Sequence, residues 1–159
     1  MATSVTICLW FDTGAEDAAR YYCSVIDGAE LGTITTYPEG SYGGQDGQVM
    51  GAEFTLDGTH FYLLNGGPHF RLTEAASIQL RVDTQEEIDR YWDALIADGG
   101  EPSECGWLKD RWGLSWQVTP RRLEELFASG TEEQRVRVNA AMLKMQKFDL
   151  AELEAAAAG

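Results

Sequence analysis

Two copies of one βαβββ pattern, set 71 residues apart, predict an α+β fold in which paired modules shape a cupped mixed sheet, followed by C-terminal helices. Three observations lead there. A β-rich apolar segment runs into a Thr-x-x-Glu helix start twice, at Thr13/Glu16 and at Thr84/Glu87. The glycines that stop these helices, Gly28 and Gly99, keep the same offset, as do Tyr21 and Trp92. Strand-like runs separated by turn signals follow each helix.

Residues 5–11 read as the first strand, and Thr13 opens a helix that reaches about Ile26. Strands follow at 30–37, 49–56 and 59–64, the last two joined by the hairpin signal Asp57-Gly58. Between Tyr37 and Val49 the composition turns to Gly, Ser and Pro, which reads as a long loop. In the second half a strand at 76–82 precedes a helix that ends at Gly99-Gly100. Strands at 102–108 and 114–119 flank the turn Asp110-Arg111-Trp112-Gly113. Pro120 then begins a short helix through Phe127, and Thr131 to Gln134 forms a third capping box. Val138, Met142, Met145 and Phe148 make an apolar stripe, and the Ala-rich tail from Ala155 is expected to fray. The whole reads as one domain, 1–159, with modules at 4–66 and 75–119 and a helical appendage at 120–150.

Composition narrows the function classes. The chain has 159 residues, 44% hydrophobic and 24% charged, an ordinary globular balance. Its formal net charge of −14 disfavours nucleic acid and would draw a cationic ligand weakly. No apolar run approaches a membrane span, and Met1-Ala2-Thr3-Ser4 lacks a basic leader, so a cytoplasmic location is expected. Cys8, Cys23 and Cys105 are odd in number and widely spaced, without a zinc pattern or disulfide framework.

The segments Leu9-Trp10-Phe11-Asp12 and Asn65-Gly66-Gly67-Pro68-His69-Phe70, and above all the run from Cys105-Gly106-Trp107 to Trp116-Gln117, resemble the PhnB-like branch of the vicinal oxygen chelate superfamily. Glyoxalase I, extradiol dioxygenases and bleomycin-resistance proteins belong to that superfamily. The resemblance covers about residues 4–150 and implies a glyoxalase-like cup. Members of the branch often carry a 3-demethylubiquinone 3-methyltransferase label, yet no glycine-rich loop of the kind that holds S-adenosylmethionine follows an early strand here. The resemblance also implies a homodimer, and the apolar C-terminal stripe reads as further surface to cover.

Strand alternation assigns the faces. Leu114, Trp116 and Val118 turn to the helix and leave Gln117 in the cup; Ser77 and Gln79, and Thr6, Cys8 and Trp10, join it by the same rule. His60 and Tyr62 share a face, and Glu53 lies opposite its apolar neighbours. The superfamily's four metal positions fall, by this register, on Thr6, Tyr62, Ser77 and Gln117. A set with no His, Asp or Glu points to no metal and no cofactor. Glu53 and His69 are candidate bases, or else a surface carboxylate and a solvated histidine. Trp10 and Trp107 are candidate walls for a flat ligand, and Asn65-Gly66-Gly67 is an anion nest or a plain turn. The expected function is binding of a small, partly apolar molecule, cationic or aromatic. The alternatives are a lyase, isomerase or dioxygenase-type enzyme, using Glu53 or His69 as base or a metal held by ligands outside these positions, and a dimeric interaction module with a vestigial cup.

Overall fold

The computed structural model describes residues 3–41 and 45–159, which fall into two compact units, Met1–Leu72 and Thr73–Gly159. Part of the long loop after Tyr37, residues 42–44, lies outside the described residues. No helix among them is long and apolar enough to cross a membrane.

The first unit is β1 (Ile7–Phe11), α1 (Ala15–Val25), β2 (Ala29–Thr36), β3 (Val49–Leu56) and β4 (Thr59–Asn65). Its sheet has the order β1-β4-β3-β2, with β1 parallel to β4 and the other pairs antiparallel. One face is covered by α1. Ala15, Ala18, Ala19 and Tyr22 are buried against Ala52, Phe54, Phe61 and Leu63, and the rings of Phe54 and Phe61 stack at 4.7 Å. Asp57 and Gly58 both take left-handed backbone, φ 47° and 75°, which gives the β3–β4 hairpin the twist its strands need.

The second unit repeats the topology with β5 (Ser77–Val82), α2 (Gln85–Ile96), β6 (Glu101–Pro102), β7 (Trp107–Lys109) and β8 (Ser115–Pro120), in the order β5-β8-β7-β6. Ile88, Trp92 and Leu95 pack on Leu80, Val82, Leu108, Trp116 and Val118. The fold is therefore α+β, with two four-stranded mixed sheets, each backed by its helix.

Several sequence expectations need correction. The strand expected at 102–108 is two short strands, because Cys105 (φ 55°) and Gly106 (φ 79°) both turn left-handed between them. A side chain at position 106 would meet the ring of Phe148 within 2.3 Å, so this glycine is also a contact site. The capping box at Thr13 does not form. Gly14 holds the N-cap position of α1 with no side-chain cap, while Thr84 and Thr131 both close their boxes. The tail expected to fray is helical. After α3 (Arg121–Ser129) and α4 (Glu132–Met142), α5 (Leu150–Ala158) buries Leu153 and Ala157. The guanidinium of Arg137 donates to the carbonyls of Ala156 and Ala157, satisfying the last turn.

The apolar stripe has its partner inside its own unit. Val138, Met145 and Phe148 are all buried. The amides of Cys105 and Gly106 donate to the carbonyls of Met145 and Gln146 at 2.8 and 2.7 Å, and Gln85 holds both the Phe148 carbonyl and the Leu150 amide. Met142, the remaining stripe residue, is half-buried.

Candidate functional site

Each sheet has one face free of its helix, and the register places a short row of functional groups across it. In the first unit Cys8 on β1 lies opposite Tyr62 on β4, which lies opposite Glu53 on β3. In the second unit Gln79 on β5 lies opposite Gln117 on β8, which lies opposite Trp107 on β7. Cys8 and Gln79 are related by the 71-residue offset, so the rows are equivalent in position and different in chemistry.

In the first row the Tyr62 hydroxyl is 3.1 Å from Thr35 Oγ1, and Thr35 also donates to the Gly51 carbonyl. The Tyr62 ring lies over Gly51, where an added Cβ would come within 2.5 Å of it. Thr35 was not singled out from sequence; its place in a run of β-formers was the only signal. Glu53 is exposed rather than enclosed by apolar walls. His60, two residues before Tyr62 on the same face, is exposed, and so is Cys8. Thr6 precedes β1 and is also exposed.

The second row is tied together. The Gln117 amide donates to Ser77 Oγ at 2.8 Å, and the Gln79 amide donates to Thr119 Oγ1 at 3.2 Å. Trp107 is half-buried beside Gln117. Cys105 is not an activated nucleophile: burial, with Glu104 nearby, pushes its thiol above the usual range, and Sγ is 3.5 Å from the Met142 carbonyl.

The end of β4 is structural. The amides of Gly66 and Gly67 donate to the carbonyls of Phe11 and Asp12, so no anion nest is available. Asn65 Oδ1 accepts from the Ala15 amide at 2.9 Å, and Asn65 Nδ2 donates to the Val49 carbonyl. It supplies the cap that Thr13 does not. Trp10 lies under the same segment. Its indole N–H donates to the Gly67 carbonyl at 2.8 Å, and its ring packs against Phe70 with centroids 5.0 Å apart. His69, in the segment after β4, is exposed.

The fold defined by these sheets is that of the vicinal oxygen chelate superfamily. Over 86% of this chain and 99% of its own, a fosfomycin resistance protein of Listeria monocytogenes, solved with manganese(II) and a dihydroxypropylphosphonic acid, shares the fold at TM-score 0.54 and 18% identity. A protein of Pseudomonas aeruginosa covers 75% of this chain and 98% of its own at TM-score 0.62 and 21% identity. Within that class, the profile of the family described as 3-demethylubiquinone-9 3-methyltransferase matches residues 3–119, and the chain belongs to this PhnB-like family. A Bacillus cereus PhnB protein, described as a putative 3-demethylubiquinone-9 3-methyltransferase, is 33% identical over 74% of this chain and 99% of its own, at TM-score 0.65. No curated protein matches the sequence.

The resemblance implies four ligand positions, Thr6 and Tyr62 in the first unit and Ser77 and Gln117 in the second, and none of them is a His or a carboxylate. Thr6, Tyr62, Ser77 and Gln117 offer hydroxyl and amide groups, and Gln117 and Ser77 are hydrogen-bonded to each other. Neutral oxygens of this kind do not offset the dehydration of a divalent transition ion. Among the described residues no group of three or more His, Cys, Asp or Glu is placed to share a metal.

Proposed function

We propose that this chain binds a small, partly apolar molecule on the helix-free face of a sheet, without a metal. The observation that carries the reading is the content of the two rows. They present an amide pair, a phenol, a thiol, an indole and one carboxylate, Glu53, with no second carboxylate and no His in either row. Such a surface suits orientation of a ligand by hydrogen bonds and ring contact. Glu53 and His69 are both exposed rather than enclosed, which favours binding over a base-catalysed reaction.

Methyl transfer is not part of this reading. No glycine-rich loop of the kind that holds S-adenosylmethionine follows an early strand in the sequence. The protein acts as a homodimer in the cytoplasm, with no nucleic acid or membrane partner. Elemental analysis of protein purified without a histidine tag tests the central claim. The expected result is no stoichiometric metal, together with a ligand-dependent rise in the melting temperature in a small-molecule screen. About one metal per chain, lost on Gln117→Ala, overturns it. Light scattering at micromolar concentration is expected to give twice the monomer mass, and a 17.6 kDa species overturns the dimer.

A further inference from the structure

A cavity of about 440 Å³ opens in the second unit, lined by Ser115, Lys109, Trp107 and the carboxylates of Glu74, Glu101 and Glu104. Ser115 is 1% exposed, yet its hydroxyl has no hydrogen-bond partner among the described residues. A buried hydroxyl without a partner is rare in a folded chain and calls for an explanation. Strand alternation supplies the direction. Leu114 and Trp116 turn into the core under α2, so Ser115 turns the other way, beside its register partner Lys109 and toward the side that carries Trp107.

The charges of the wall are unequal. Lys109 is the only cation in the lining, and its ammonium is already paired with Glu74. Glu101 lies opposite Lys109 on the edge strand β6, and Glu104 adds a further carboxylate. Three carboxylates against one committed ammonium leave the lining negative, within a chain whose net charge is −14. Trp107 contributes an indole, whose π-face attracts cations and stacks on flat rings.

We propose that this cavity is a binding site for an aromatic or arylalkyl primary ammonium, with the ring against Trp107, the ammonium donating to Ser115 Oγ, and Glu101 and Glu104 balancing its charge. The assignment rests on the metal-free binding function above and names the ligand class for it. An anionic ligand would meet carboxylates and a neutralised lysine, and a purely apolar one would leave Ser115 unpaired.

Isothermal titration of the full chain with phenethylammonium, phenethyl alcohol and phenylpropionate tests the proposal. Phenethylammonium is expected to bind saturably, about tenfold tighter than the alcohol, with phenylpropionate the weakest. Ser115→Ala is expected to weaken the ammonium about tenfold. The same variant should leave the melting temperature of the free protein unchanged or raised, because it removes an unpaired buried hydroxyl. Glu101→Gln should weaken the ammonium and spare the alcohol. The proposal is overturned if phenylpropionate binds as tightly as the ammonium, if the ammonium gives no saturable binding up to about 1 mM, or if Ser115→Ala leaves its affinity intact. A different ligand found by the melting screen and indifferent to Ser115→Ala would leave the metal-free binding function standing and remove this site alone.

Discussion

The two units have the same topology and solve the same two local problems by opposite means. Where the first turns its β3–β4 hairpin with two exposed residues, Asp57 and Gly58, the second turns between β7 and β8 around a buried carboxylate. Asp110 is 4% exposed and accepts from the amides of Trp112 and Leu114 and from the indole of Trp116, all between 2.8 and 3.0 Å. The helices differ the other way. The second unit caps α2 with the adjacent residues Thr84 and Glu87, whereas the first caps α1 with Asn65, fifty residues away in sequence. Repetition of a fold thus preserves the demand, a satisfied turn or a satisfied helix end, and not the residue that meets it.

The turn comparison gives the largest expected effect. Asp110→Ala removes the acceptor that two backbone amides and an indole N–H share near the core, and should cost about 3–5 kcal/mol in urea unfolding. Asp57→Ala removes only a tolerated left-handed residue at the surface and should cost about 1 kcal/mol or less. Equal costs would show that Asp110 is dispensable and that the two turns do the same job.

Next in size is Asn65→Ala. It removes a helix cap and a bond to the Val49 carbonyl in one step, so about 2 kcal/mol is expected. Thr13→Ala, at the position the sequence marks as the cap, should stay within about 0.5 kcal/mol. If the two substitutions exchanged these values, the sequence pattern would be the better guide to the helix start.

These contrasts mark what was legible in the chain. The strand at Val49–Leu56, its hairpin, the α2 box and the alternation that buries Leu114, Trp116 and Val118 all depend on neighbours within a few residues, and sequence alone places them. Asn65 and the orphan Ser115 hydroxyl depend on residues that pair only after folding. Cys105-Gly106 looked like strand because its left-handed turn answers to Phe148 and to the carbonyls of Met145 and Gln146, about forty residues on. The candidate rows were partly legible: alternation gave the faces of Tyr62, Gln79 and Gln117, whereas Trp107 stood out only as an aromatic residue. It could not show that Trp10 lies under its own module's loop, or that Gln117 is tied to Ser77.

The smallest expected effect concerns the sign of a pH dependence. The amides of Asp83 and Thr84 donate to Glu87, with further help from the Thr84 side chain and Arg90, and hold its carboxyl below the usual range. A carboxylate whose folded pKa is depressed stabilises the protein fully above its unfolded pKa, about 4.3. That contribution is lost as the pH falls through the lower folded value. Glu87→Gln keeps an acceptor and removes the charge, so at neutral pH it should destabilise α2 by about 0.5–1 kcal/mol. The gap to the unsubstituted protein should begin to close as the pH falls below about 4.3, and vanish once the native carboxyl is protonated. In the first unit Glu16 is turned to Arg20 along an exposed helix face instead of toward a helix end. Glu16→Gln should therefore change stability by no more than about 0.5 kcal/mol at neutral pH. Urea midpoints of both variants across that range decide the matter. A Glu87→Gln penalty that grew on acidification would mean that the capping charge is not what the box contributes.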